Sequence, residues 1–200
     1  MPDKYKSFAA LAKSEVEGRD YRIALRTGRE PILVLAIHGG GIESGTSEIA
    51  DAIAGSDLSF YTFRGIRRTR NGELHITSHR FNEPRCVALV AEAQKVISIH
   101  GEKSKRAVVF LGGRDEELRN VLTESLTSRG FRVEVHKKRS LQGLDLRNIC
   151  NRPAMGCGVQ LELSLGLRHS FFKSKSSNGR RTRTKRFGVF VTAVREALYL

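Results

Sequence analysis

The chain has 200 residues, 40% of them apolar and 28% charged, a balance that excludes a disordered or fibrous protein and suits one compact domain with its own core. Lys and Arg outnumber Asp and Glu by 35 to 21, a net charge of +14 that points to an anionic partner. No apolar run approaches the roughly 20 residues of a bilayer span, the first twenty residues lack the apolar stretch of a secretory leader, and three cysteines without metal or disulfide spacing read as reduced.

In chain order, Ser7 to Val16 is expected to be helical, and the continuous apolar run Ile32 to Ile37 (ILVLAI) is expected to be a strand buried on both faces. Thr46 or Ser47 can cap a helix running to about Ala54, with Gly55 as its stop. Leu58 to Phe63 reads as a strand and Glu73 to Thr77 as a short one, and Pro84 opens a helix to about Gln94. Val96 to Ile99 and Ala107 to Leu111 are two further buried strands. Asp115 to Arg129 is an amphipathic helix ending at Gly130, followed by a strand over Phe131 to Val135. Val159 to Leu163 is the last expected strand and Val189 to Leu198 a closing helix. Strands alternating with helices predict a single α/β domain over residues 1–200, with a mixed sheet flanked by helices. Within it, Lys173 to Arg186 (KSKSSNGRRTRTKR) is rich in cations, contains no acid and is expected to form a solvated, mobile loop.

The candidate chemistry sits at strand ends. His38 follows the ILVLAI strand in HGGGIESGTSE, and His100 follows VISI in ISIHGE. Ligands of α/β sheets bind beyond the carboxyl ends of the strands, so these two imidazoles can meet there. Gly39, Gly40, Gly41 and Gly101 permit sharp turns and close backbone approach. Glu43 lies on the same turn as His38, and two imidazoles plus a carboxylate with an open fourth position are the usual donor set of a catalytic zinc. The blander readings are that H-x4-E is a chance spacing and that His100 bonds a backbone carbonyl. A phosphate-cradling loop is disfavoured because the glycine run lacks the lysine of a P-loop. His75 and His79 share one face of their expected strand and are kept out of the metal set, while His136 and His169 lie beside basic residues that disfavour a cation. Cys150 and Cys157 could pair, and no functional thiol is expected.

Four stretches, IHGGGIESGTSEIADAI, LHITSHRFNEP, ISIHGE with FLGGRDEEL, and NICNRPAMGCGVQLELS, resemble the phage and bacterial poly-gamma-glutamate hydrolases, a family with a zinc-carboxypeptidase-like fold. The resemblance implies that His38, Glu43 and His100 hold zinc and that Glu162 is the general base. It also implies that Asn151 and Arg152 form a pair gripping a substrate carboxylate, a task a guanidinium fork suits. Arg80, in SHRFNEP, is a further cation that could contact another glutamate side chain. The H-x4-E spacing departs from the H-x2-E of the carboxypeptidases themselves, which weakens any transfer of their terminal-residue specificity.

Glu162 also has a reading of its own. In VQLEL, alternation puts Val159, Leu161 and Leu163 on one face and Gln160 with Glu162 on the other, where a carboxylate could take a proton from water and pass it to a leaving nitrogen. An edge-strand glutamate facing solvent is the alternative.

Together these readings give a zinc-dependent hydrolase of gamma-glutamyl amide bonds, with zinc as cofactor and poly-gamma-glutamate as anionic polymer partner. The alternatives are another zinc amidase or deacylase, and a non-catalytic basic nucleic-acid-binding protein. Nucleic acid is disfavoured because no zinc-finger, RNP or helix-turn-helix signature accompanies the charge. A monomer is the working expectation, and the absence of a leader suggests the cytoplasm or release by cell lysis.

Overall fold

The apolar run ILVLAI becomes the core of an interior strand of a seven-stranded sheet. The computed structural model describes residues 3–173 and 182–200. Its strands are β1 (Tyr21–Arg26), β2 (Glu30–Gly40), β3 (Leu58–Gly65), β4 (Lys95–Glu102), β5 (Val109–Gly113), β6 (Val133–Glu134) and β7 (Val159–Ser164), in the order β1-β3-β2-β4-β7-β5-β6. β3, β2, β4 and β7 run parallel, whereas β1 is antiparallel to β3 and β5 to β7, so the sheet is mixed as expected.

Strand alternation divides the core into two layers. Ile32, Val34 and Ala36 of β2, Ile97 and Ile99 of β4, and Val159, Leu161 and Leu163 of β7 pack on one face. They meet α2 (Thr46–Ala54), α4 (Glu116–Ser128) and α6 (Lys185–Leu198) through Ile49, Ile53, Leu118, Leu122, Phe187 and Phe190. Leu33, Leu35 and Ile37 point to the other face, covered by α1 (Phe8–Ala12), α3 (Pro84–Glu92) and the buried Leu74, Ile76 and Phe81. That second face also carries the polar side chains of β4 and β7.

Several boundaries differ from expectation for local reasons. α1 ends at Ala12, because the amides of Ser14 and Glu15 both turn back to the Leu11 carbonyl and the Glu15 carboxylate is buried against Tyr5 and Arg67. α2 is preceded by Gly45 at φ 96°, not capped by Thr46, whose hydroxyl instead donates to the Glu43 carbonyl at 2.8 Å. The strand expected at Glu73 to Thr77 is a 3₁₀ turn over Asn71–Leu74 followed by extended chain. Leu74 and Ile76 are buried in strand-like alternation, but the Thr77 amide is bonded by the Asp3 carboxylate and not by a neighbouring strand. β1 and the short α5 (Leu165–Ser170) were not expected, and β6 keeps only two residues of its expected five-residue span.

The centre of the expected basic loop, residues 174–181, lies outside the described residues. Its flanks form a paired base, in which Lys173 N–H donates to the Thr182 carbonyl at 2.8 Å and Thr184 N–H to that of Phe171 at 2.9 Å, and α6 starts at Lys185. Among the described residues, no helix is long and apolar enough to cross a membrane.

Candidate metal centre

The site is built where β2 loses its alternation. The register against β3 shifts between Ala36 and Gly39, inserting one extra residue into β2. A bulge of this kind re-aims the side chain that follows it. His38, which simple alternation would send to the Val34 and Ala36 face, instead meets His100 on the opposite one. The chain leaves β2 through Gly40 at φ 64°, where a Cβ would meet the Gly65 carbonyl at 2.4 Å, so this tight crossing requires glycine.

Each imidazole is fixed by its far nitrogen. His38 Nε2 lies 2.8 Å from the Ile76 carbonyl, which can only accept, so the ring proton sits on Nε2 and the Nδ1 lone pair of the neutral ring is left over. His100 Nε2 is 2.9 Å from Ser98 Oγ, two residues back on the same face of β4. The two Nδ1 atoms then face each other at 3.1 Å, and His38 Nδ1 is 3.2 Å from a carboxylate oxygen of Glu43. The other Glu43 oxygen lies 3.8 Å from His100 Nδ1 and accepts the Gly101 amide at 2.7 Å. Gly101 is needed there, since a Cβ would meet Glu43 at 2.9 Å and the Arg168 guanidinium at 2.8 Å.

Both imidazoles are buried, each 2% exposed, and two Nδ1 atoms 3.1 Å apart need a proton or a cation between them. Zinc fits this donor set, because donors about 2.0–2.2 Å from a tetrahedral zinc lie roughly 3.3–3.5 Å from one another. The electrostatics agree with an assembled cation site. Burial opposes ionising Glu43, yet the adjacent His38 and His100 hold its carboxyl down at about 2. Burial, then the neighbouring His38, pushes His100 down to about 3, whereas Glu43 outweighs burial at His38 and raises it.

His75, set apart from the metal set on sequence, joins the cluster. Its ring lies on that of His38 with centroids 3.9 Å apart and a 32° tilt, and ligand atoms of His38, Glu43 and His75 all fall within 4.8 Å of one another. The distances therefore allow a third donor from either His100 or His75.

Glu162 stands opposite His100 in the β4–β7 register and faces the same cleft, 5% exposed. Gln160 Nε2 donates to Glu162 Oε1 at 3.0 Å and is itself aligned by Asn148, whose amide donates to Gln160 Oε1 at 2.8 Å. Burial, with Glu43 and Glu102 adding their charge, raises the Glu162 carboxyl well above the usual carboxylate range despite Arg168. All these groups open on a cleft of about 590 Å³, whose rim includes Lys103, Lys138 and Arg139. None of these three exposed cations forms an ion pair among the described residues.

Arg80, Asn151 and Arg152 are not among the residues that line this cleft. Asn151 is 2% exposed, its amide donates to the Gly143 and Asp145 carbonyls at 2.7 and 3.0 Å, and its oxygen accepts the Gly158 and Arg114 amides. It is a backbone clamp. Arg152 donates to the Phe81 carbonyl at 3.2 Å, and neither it nor the exposed Arg80 lines the cleft. Sequence reasoning missed the rim cations and the role of Ser98. The S-x-H pattern within one strand was a usable signal, since residues two apart share a face.

Comparison with known proteins bears on this geometry. Residues 5–193 match the profile of the poly-gamma-glutamate hydrolase family. The UPF0714 protein YndL of Bacillus subtilis is 37% identical over 190 residues, 94% of this chain and 75% of YndL. The prophage-derived UPF0714 protein YoqZ of the same organism is 38% identical over 179 residues, 89% of this chain and 65% of YoqZ. Among solved structures, a bacteriophage poly-gamma-glutamate hydrolase superposes with a TM-score of 0.90 at 33% identity, covering 99% of this chain and 97% of the other. A zinc-free apo structure of YndL gives 0.92 at 35% identity, covering 99% and 98%.

Proposed function

Because the chain belongs to the poly-gamma-glutamate hydrolase family, we propose that it is a zinc-dependent amide hydrolase cutting gamma-glutamyl bonds in poly-gamma-glutamate. The observation that carries this reading is the convergence of His38 Nδ1, His100 Nδ1 and the Glu43 carboxylate, with the outer nitrogen of His38 already committed to Ile76, beside the buried carboxyl of Glu162. His38, Glu43 and His100 would hold the zinc. His100 is preferred to His75 as third donor because it meets His38 edge-on through Nδ1, whereas the His75 ring lies stacked on it. The zinc-free description of a YndL structure supports zinc as the metal.

Zinc in this set would supply Lewis acidity toward an amide carbonyl and a water. The remaining chemistry belongs to the chain. Glu162, held at one oxygen by Gln160, keeps its other oxygen for a proton taken from water and delivered to the departing nitrogen. Its raised pKa suits it to carry that proton between the two steps. Lys103, Lys138 and Arg139 give the cleft a cationic rim, without ion pairs among the described residues, for the alpha-carboxylates that a gamma-linked chain bears on every unit.

The test is chain-length analysis of polymers incubated with the zinc-loaded protein. Gamma-linked polyglutamate should shorten, while alpha-linked polyglutamate and RNA should not. Charge attraction is common to all three, and only the first brings its carbonyl into register with zinc and Glu162. Equal cleavage of both polyglutamates would overturn the linkage specificity. Cleavage of neither, with zinc bound, would favour a deacylase acting on short substrates.

A further inference from the structure

His75 is held by a residue 72 positions away. One oxygen of Asp3 lies 2.6 Å from His75 Nδ1, and the other accepts the Thr77 amide at 2.7 Å. An ionised carboxylate can only accept, so the ring proton sits on Nδ1. Thr77 fixes the carboxylate against rotation, and the pair is sheltered, with side-chain exposures of 14% for Asp3 and 31% for His75. The segment carrying Asp3 is itself anchored, because Lys4 and the Tyr5 hydroxyl bind Glu15, the Phe8 amide donates to Asn82 Oδ1 at 2.7 Å and Leu11 is in the core.

From this geometry we infer that Asp3 is a positioning residue of the site: it fixes His75 as the Nδ1–H tautomer and so leaves Nε2 as the ring nitrogen free for the cleft beside His38 and Glu43. An imidazole without such a partner favours the opposite tautomer, with its proton on Nε2. Held as it is, His75 presents a hydrogen-bond acceptor to a water or to the amide N–H of a bound chain. Nothing in the sequence around Asp3 marks this role. The catalytic consequence rests on the hydrolase reading above, while the tautomer does not.

Two measurements on the full, zinc-loaded chain test the inference. In protein labelled with ¹⁵N-histidine, NMR of the ring nitrogens should show His75, identified by the signals lost in His75→Gln, protonated on Nδ1. Asp3→Ala should convert it to a mixture dominated by Nε2–H. A ring already protonated on Nε2, or one unchanged by Asp3→Ala, would overturn the inference.

In turnover of gamma-linked polyglutamate, Asp3→Ala should lower kcat by roughly 10- to 100-fold, the usual effect of losing the partner that orients a functional histidine. Asp3→Asn, which keeps one acceptor oxygen, should fall between it and the parent and serves if the alanine variant folds poorly. In a His75→Gln background, Asp3→Ala should cost less than a further twofold. Full additivity of the two losses would make Asp3 a stability residue only and overturn the inference. If the parent protein does not cut the polymer, the substrate reading fails, and the NMR result alone decides the inference.

Discussion

Two groups of buried polar side chains in this molecule look alike in sequence and differ in what their atoms have left to offer. At Asn151 every side-chain polar atom is engaged by a backbone partner, the Gly143 and Asp145 carbonyls and the Gly158 and Arg114 amides. At His38 the outer nitrogen is likewise engaged, by Ile76, but the inner one faces His100 and Glu43 over an open cleft. Burial is the same in both places, 2% exposure. A candidate site is therefore distinguished by ring and carboxylate atoms that converge on one point of an open cleft, and a structural clamp by atoms that are all engaged by the backbone.

The largest effects should come from breaking the convergent set. His38→Ala or His100→Ala should abolish both zinc binding and turnover, measured by metal analysis and polymer shortening on the same preparation, with the fold retained on thermal unfolding. Retained zinc in His100→Ala would shift the third donor to His75. Next in size, Glu162→Gln should keep the zinc and lose roughly 10²- to 10⁴-fold in turnover, the usual contribution of a general acid–base group. A loss below about tenfold would make the carboxyl structural.

Smaller effects sharpen the contrast. Lys138→Ala with Arg139→Ala should raise KM several-fold and flatten its dependence on salt, since exposed charges act over a Debye length of about 8–10 Å at moderate ionic strength. An unchanged salt dependence would remove the rim from substrate binding. Smallest for activity is the clamp itself. Asn151→Ala should destabilise by about 1–3 kcal/mol through the backbone groups it strands, while kcat changes less than about threefold in the folded protein. Arg152→Ala should leave KM within about threefold, because its guanidinium serves the Phe81 carbonyl. A much larger rise in KM would return Arg152 to the substrate-gripping role.

Much of the fold was legible because it obeys short-range rules. ILVLAI had to be a strand buried on both faces, Pro84 and Gly55 mark helix ends, and alternation in VQLELS put Gln160 and Glu162 opposite the apolar Val159, Leu161 and Leu163. β1 escaped because YRIALR sits on the sheet edge, where Leu25 is 43% exposed and charged residues interrupt the pattern. The candidate site was legible in its residue types and not in its geometry. His38 faces His100 only through the bulge after Ala36, and the His75 ring beside them is bonded by Asp3, 72 residues earlier. Neither the bulge nor that long-range bond leaves a local periodic signal.

On the proposed reading, hydrolysis depends on a zinc held by His38, Glu43 and His100. Its most direct test is metal analysis of the protein prepared without a polyhistidine tag, paired with polymer cleavage before and after exhaustive chelation. The account predicts about one zinc per chain, loss of cleavage when the zinc is removed and its return when zinc is restored. Full cleavage by protein verified to contain no metal would contradict it.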